Sequence, residues 1–474
     1  MRKNAYLYVA AVLTFGVAIN LIFYLAPRWV ALGDGAAAAF AVHPAQTESF
    51  LSGLLRNMRD PLAVLLLQVV SVLSVAWAAA ALCKRMNQSA VIGEMAAGIA
   101  LGPSVFGHVL PQWQAAVFPP DSLGALKALS QIGVIVFMFV IGAELDVAQL
   151  RRSAHSTVLV SHVSILLPFF LGVVLAVALF ADHAPAHVPF ITFALFMGTA
   201  ISITAFPVLA RICRDRNIDG TPLGIMAITC AAIDDVTAWC ILAIVLALGR
   251  AGGWIDPAIT VLLALGYSVL MVWFVKPGIE RMWTGNAAQA ILSRDGRLVA
   301  MILLYLFCSS LITDIMGIHA IFGAFLAGVT LSNQPAIRQL IRQRIEPFCA
   351  AALLPLFFAF SGLRTEIGLI NDAQGWLTCG LIVLLATVGK LGGSSVAARA
   401  TGLPWRAALP LGALMNTRGL MELVVLNIGY DLGVISPAVF TMMVVMALVT
   451  TLMTGPLLSL FQSLPVYSAQ EGGA

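Results

Sequence analysis

Charge is what this 474-residue sequence has least of. Lys, Arg, Asp and Glu together make 10% of it, against about 25% in a soluble domain, while 60% is hydrophobic. That balance excludes a soluble enzyme, a disordered chain and a nucleic-acid binder. Cysteine is sparse and unpatterned. The 7 residues (Cys83, Cys213, Cys230, Cys240, Cys308, Cys349 and Cys379) are odd in number and show no C-x-x-C or Cys/His ligand spacing. They read as apolar filler, and no disulfide framework, resident metal or cofactor is expected. Strand-like alternation is missing, which excludes an outer-membrane barrel. No G-x-G-x-x-G follows a strand, and only residues 463–474 come after the last apolar run, so no nucleotide-binding regulatory domain is expected.

What is present is long apolar runs. They fall near 5–25, 61–82, 90–108, 123–146, 156–181, 190–212, 222–248, 257–276, 297–315, 317–333, 348–364, 375–398, 406–430 and 436–462. Crossing a bilayer takes roughly 20 residues per helix, so an all-α polytopic membrane protein of about 14 transmembrane helices is expected. The first run follows Arg2 and Lys3. It is longer than the 7–15 apolar residues of a signal peptide, so it reads as a retained helix, although Ala36–Ala39 offers a late cleavage site. The organisation expected is an extra N-terminal helix and external loop over 1–60, a transmembrane domain over 61–462 and a short tail over 463–474. The segment 277–296 divides the long domain, as a surface-lying helix or a plain polar linker.

Basic residues orient the chain. With the N-terminus inside, 18 of the 26 Lys and Arg residues fall on the cytoplasmic side, 5 fall outside, and Arg364, Lys390 and Arg418 lie at membrane depth. Positive charge concentrates on the cytoplasmic side of membrane proteins, so both termini are expected inside.

The two halves repeat weakly. Gly93, Ala97, Gly98 and Leu101 align with Gly323, Ala327, Gly328 and Leu331, and Phe137–Gly142 aligns with Phe357–Gly362. In the topology above the paired runs point in opposite directions. Inverted repeats of this kind build many secondary transporters, with the substrate held near the midplane by broken helices.

An ionisable residue in hydrocarbon is costly and needs a reason. Asp234 and Asp235 sit mid-run, with about a dozen mostly apolar residues on either side. Low dielectric disfavours two adjacent carboxylate charges. Helical neighbours point about 100° apart, so one acid can face water while the other faces a partner. Position rules out a helix cap, and divergence argues against an intramembrane aspartyl protease, whose two acids face each other and share a proton. Lys390, also mid-run, calls for an acidic partner; snorkelling to the interface is the other reading. Two runs contain breaks. Ser202 and Thr204 precede Pro207 in the first. Asn416 and Thr417 lie in the second, where Arg418 and Glu422 are four apart and able to pair. Glu144 and Arg364 each lie two residues past a paired glycine, as quasi-equivalent sites of opposite charge. Glu94, Asp146 and Glu366 are expected near the interfaces, and His183 and His187 in an external loop with Asp182.

Five stretches together resemble the second family of monovalent cation:proton antiporters, which takes in bacterial sodium/proton antiporters, glutathione-gated potassium efflux systems and plant cation/proton exchangers. They are Gly93–Pro103, Phe137–Asp146, Ser202–Arg211, Ala231–Trp239 and Met415–Gly429. The last two are especially similar to the plant-type exchangers and their bacterial relatives. The resemblance implies a sodium/proton antiporter fold of thirteen helices from about 61 onward, arranged as a core domain and a dimerisation domain in a homodimer. It further implies antiport of Na⁺ or K⁺ against H⁺ by an elevator-like cycle. Asp235 matches the carboxylate that carries cation and proton, and Asp234 the position before it. Lys390 matches the lysine that pairs with that first acid in electrogenic members, and Ser202 and Thr204 match the unwound stretch of the other broken helix. Plant-type motifs suggest potassium and the Asp-Asp/Lys set suggests sodium, so both ions stay open. A channel or sensor on the same fold is the rival reading. The high Ala and Arg content points to a bacterial inner membrane.

Overall fold

In the computed structural model, residues 57, 60–86, 88–144, 155–250, 255–282 and 295–462 are described, and every regular element among them is helical. The expected first run, the extra N-terminal helix over 1–60, the tail over 463–474, Asp146 and most of 277–296 lie outside the described residues.

The principal helices follow the apolar runs in order. They are α1 (Pro61–Arg85), α2 (Ala90–Leu101), α3 (Leu123–Glu144), α4 (His155–His183), α5 (Phe190–Ser202), α6 (Phe206–Asp215), α7 (Pro222–Arg250) and α8 (Ile255–Val269). After the central linker come α9 (Asp295–Ile315), α10 (Ala320–Leu331), α11 (Leu354–Leu363), α12 (Ala373–Thr387), α13 (Gly393–Ala400), α14 (Trp405–Met415), α15 (Leu420–Asp431) and α16 (Pro437–Gln462). Among the described residues, 10 helical stretches are long and apolar enough to cross a membrane, and α5 and α10 are shorter apolar helices. Starts are set locally. Asp60 caps α1 by accepting from the Leu62 amide at 2.9 Å, with Pro61 at the first turn, where a missing amide costs nothing.

The repeat seen in the sequence governs the packing. Gly93 of α2 lies against the backbone of Ala79, and its partner Gly323 of α10 against Ser309, each contact reaching fourteen residues back. Gly98 lies against Ala359 of α11, and its partner Gly328 against Phe139 of α3. Gly142 meets Phe325, and its partner Gly362 meets Met95. Each contact in one half thus has its counterpart in the other, with the same residue offsets. A side chain at any of these positions would overlap neighbouring backbone, so glycine sets how closely α2 approaches α11 and α3 approaches α10.

Two broken helices occupy the other part of the fold. α5 and α6 are separated by the extended residues Ile203 to Ala205, and α14 and α15 by Asn416 to Gly419. The breaks cross: the Ala205 amide donates to the Thr417 carbonyl at 3.0 Å. Pro207 falls in the first turn of α6, and so begins a half-helix rather than kinking a continuous one. Gly419 has φ of 149°, a conformation that glycine adopts readily. Between α12 and α13 the chain forms a π-helical stretch, Val388–Gly392, which holds Lys390. Such insertions re-aim side chains and recur at functional sites.

Candidate functional site

The site begins with what the breaks expose. A half-helix ending inside the molecule leaves unpaired carbonyls at its C-terminus and unpaired amides at its N-terminus, each with partial charge. Here each exposed end meets a complementary group. Arg418 donates from Nη1 to the Ala200 carbonyl at 3.1 Å and from Nη2 to that of Ile201, capping the C-terminus of α5. Glu422 occupies the first turn of α15 and pairs with Arg418 at 3.5 Å. Thr204 Oγ1 lies 3.1 Å from the Met415 carbonyl at the end of α14. Both members of the Arg418–Glu422 pair are 0% exposed.

Asp234, on α7, accepts from four groups. Ser161 reaches Oδ1 at 2.6 Å. Ser164, Thr204 and Lys390 reach Oδ2 at 2.7, 3.0 and 2.9 Å. The Lys390–Asp234 pair is fully buried. Asp235, the next residue, is 2% exposed, and neither of its carboxylate oxygens has a hydrogen-bond partner. The Phe206 amide, first of α6, faces it. One acid is therefore saturated and neutralised by a lysine. The other is bare, beside the positive end of a half-helix.

The expected residues are all buried at this crossing but are not all joined to the acids. Thr204 is a ligand of Asp234. Ser202 is not, because its hydroxyl donates back to the Thr199 carbonyl at 2.8 Å, closing the last turn of α5. Thr417 Oγ1 meets Thr454 at 3.4 Å, and both polar atoms of Asn416 are buried without partners. Ser161 and Ser164 were missed by sequence reasoning. The available signal was two hydroxyls three apart in the apolar run 156–181, which a helix places on one face.

A cavity of about 610 Å³ leads toward the crossing. Lys84, Glu94, Glu144, Arg211, Arg214 and Glu346 line it, as do Phe206 and Leu420, the first residues of α6 and α15. Glu94, expected near an interface, is 6% exposed in this cavity wall. On the other side of the crossing a smaller cavity of about 210 Å³ includes Asn427 and Asp431. Lys127 and Arg364 both pair there with Asp431, and Arg364 also holds Asn427 at 2.8 Å. Of the quasi-equivalent pair, Glu144 lines the larger cavity and Arg364 holds two residues that line the smaller one, in keeping with an inverted repeat. His187 lies next to Gly433, just beyond the end of α15.

Comparison with known proteins agrees along most of the chain. A family model described as "Sodium/hydrogen exchanger, transmembrane" matches residues 69–461. The Na(+)/H(+) antiporter NhaS4 of Synechocystis is 41% identical over 399 residues, covering 84% of this chain and 97% of that protein. Cation/H(+) antiporter 20 of Arabidopsis thaliana is 38% identical, and K(+)/H(+) antiporter 1 of Saccharomyces cerevisiae 32%; the chain spans about half the length of each, 48% and 47%. Among solved structures, the sodium proton antiporter MjNhaP1 of Methanocaldococcus jannaschii superposes with a TM-score of 0.59 at 15% identity, over 85% of this chain and 99% of that one. At that identity the likeness is one of fold.

Proposed function

This chain belongs to the sodium/hydrogen exchanger family, and we propose that it exchanges a monovalent cation, Na⁺ or K⁺, for protons across a membrane. The observation that carries this reading is the contrast between the two adjacent acids. Asp234 is neutralised by Lys390 and Glu422 pairs with Arg418, which leaves Asp235 as a buried carboxylate without a countercharge. A bare carboxylate in low dielectric is strongly disfavoured unless a cation or a proton joins it. The two compete for one site, so release of one accompanies uptake of the other, and exchange follows from that exclusion.

The cycle we propose is of the elevator type. α4–α7 and α12–α16 form the core domain that carries Asp235. α1–α3 and α9–α11, held rigid by their paired glycine contacts, form the domain against which it moves and through which a homodimer assembles. Only a neutralised Asp235 is able to cross the apolar barrier between the two cavities. In this reading the larger cavity, with Lys84, Arg211 and Arg214 around it, faces the cytoplasm, with both termini inside and a bacterial inner membrane as the setting. Hydroxyls and carbonyls at the crossing, among them Thr204, supply the remaining ligands of the cation.

The exchange is electrogenic in this scheme: Lys390 releases its proton, and with it the ion pair to Asp234, when the cation binds at Asp235, so two protons move against one monovalent cation. Net movement of one charge is worth about 2.3 kcal/mol per 100 mV, so an imposed potential drives or opposes exchange. Purified protein in liposomes, with internal pH followed on adding Na⁺, K⁺ or Li⁺, tests the reading. Asp235→Ala is expected to abolish the pH change, and exchange that continues unaltered in that variant overturns the assignment.

A further inference from the structure

A third cavity, of about 440 Å³, shares Lys84 with the larger one but has a different chemistry. Its lining includes Lys84, Gln88, Ser89, Arg216, Thr451 and Gly455, and none of its described lining residues is acidic. Ser89 stands at the N-cap of α2, a helix of 12 residues, yet its hydroxyl does not cap the helix. The residue is 7% exposed, and Oγ has no hydrogen-bond partner. The first amides of a helix lack intrahelical acceptors and carry the positive end of its dipole. Across the cavity Arg216 is held by Ser459 at 2.9 Å and by the Gly455 carbonyl at 3.3 Å. A β-carbon at position 455 would stand 3.4 Å from Arg216 Nη2 and 3.5 Å from Gln88 Oε1, so both polar side chains lie along this wall.

Two cations, an uncapped helix start, an orphaned buried hydroxyl and no acid define a receptor for an oxyanion. Monovalent cations, the substrate proposed above, are repelled by the same set. We propose that this cavity binds a phosphate group, either free phosphate or the headgroup of an anionic lipid. The bound group accepts from Lys84, Arg216, Ser89 Oγ and the first amides of α2, and so bridges the α1–α2 turn to α6 and α16. It also touches the broken helix through Thr451. Thr451 accepts from the Arg418 amide at 3.1 Å and donates to the Arg418 carbonyl at 2.8 Å, within the break between α14 and α15. Occupation therefore restrains the broken helix and slows exchange. The slowing rests on the antiport reading; the binding does not.

The test measures binding in the purified full chain. Inorganic phosphate, compared with chloride at matched ionic strength, is added while thermal unfolding is followed in detergent. In parallel, native mass spectrometry counts anionic and zwitterionic lipids retained after reconstitution with phosphatidylglycerol or phosphatidylcholine. A rise in Tm with phosphate that is lost in Arg216→Gln supports a free phosphate. Selective retention of one phosphatidylglycerol without that rise, again lost in Arg216→Gln, supports a headgroup. Removing a charged donor is expected to weaken binding by about tenfold to a hundredfold, and Ser89→Ala by several-fold. Should Arg216→Gln fail to fold, Ser89→Ala and Lys84→Gln carry the same comparison. No binding of either probe, or binding equal in wild type and variants, overturns the site.

Discussion

Lys390 Nζ stands 2.9 Å from Asp234 Oδ2, and neither side chain reaches solvent. A buried pair of this kind tolerates loss of both charges far better than loss of one, because a single survivor keeps its desolvation penalty without compensation. Lys390→Met is therefore expected to destabilise the protein by about 3–5 kcal/mol. The double variant Asp234→Asn, Lys390→Met should recover most of that loss. Thermal unfolding of the two singles and the double, read as a double-mutant cycle, checks it. Additive losses would mean that the pair is not coupled.

Competition at Asp235 has a kinetic signature. A proton and a cation that exclude each other from one carboxylate raise the apparent KM for the cation as pH falls, by up to about tenfold per unit on the acidic side, with the maximal rate little changed. Initial rates in proteoliposomes over a range of cation concentrations, at several equal internal and external pH values, measure this. A KM that stays fixed while the maximal rate titrates would show that protons act elsewhere.

The glycine contacts separate packing from helix propensity. A methyl at Gly142 or Gly328 would overlap the backbone of Phe325 or Phe139, whereas one at Gly380, inside α12, meets nothing within 4 Å. Gly142→Ala and Gly328→Ala should each destabilise by about 1–3 kcal/mol or more, the range for overpacking. Gly380→Ala should be neutral or gain up to about 1 kcal/mol from helix propensity. Denaturation midpoints of the three variants in one detergent rank them, and equal midpoints would refute the close approach.

How much of this was legible beforehand depends on the physics involved. The long runs, both breaks, the repeat and the need of Lys390 for an acidic partner are consequences of composition and of charge placed in hydrocarbon, which a sequence displays directly; that the partner is Asp234 was implied by the resemblance. Ser202 and Thr204 illustrate what it does not display. Both hydroxyls precede the same proline, but Ser202 ends a helical turn and bonds within it, while Thr204 is extended and reaches Asp234. A two-residue difference in where the helix stops decides which becomes a ligand. Ser161 and Ser164 lie some seventy residues from Asp234 in sequence, and only the packing of α4 on α7 brings them to it. Glu94 was expected near an interface, and only the packing around α2 shows that it is buried in a cavity wall there.

Arg418 joins three parts of the site at once, and its geometry makes a prediction that charge alone does not. Its two terminal nitrogens reach two successive carbonyls of α5, and the same group faces Glu422. A guanidinium spans such a fork, whereas an ammonium is a single point charge on a flexible stem. Arg418→Lys therefore keeps the charge beside Glu422 but leaves at least one α5 carbonyl without a donor. Each lost charged hydrogen bond is worth about 1.5–3 kcal/mol, so Arg418→Lys should lower stability by about that amount and lower exchange with it. Arg418→Gln should be worse than the double variant Arg418→Gln, Glu422→Gln, because the single change leaves Glu422 charged, buried and unpaired. Unfolding midpoints and exchange rates of these variants together decide the matter. A lysine variant indistinguishable from wild type in both would mean that Arg418 serves only as a countercharge to Glu422, and that the end of α5 is held by other groups.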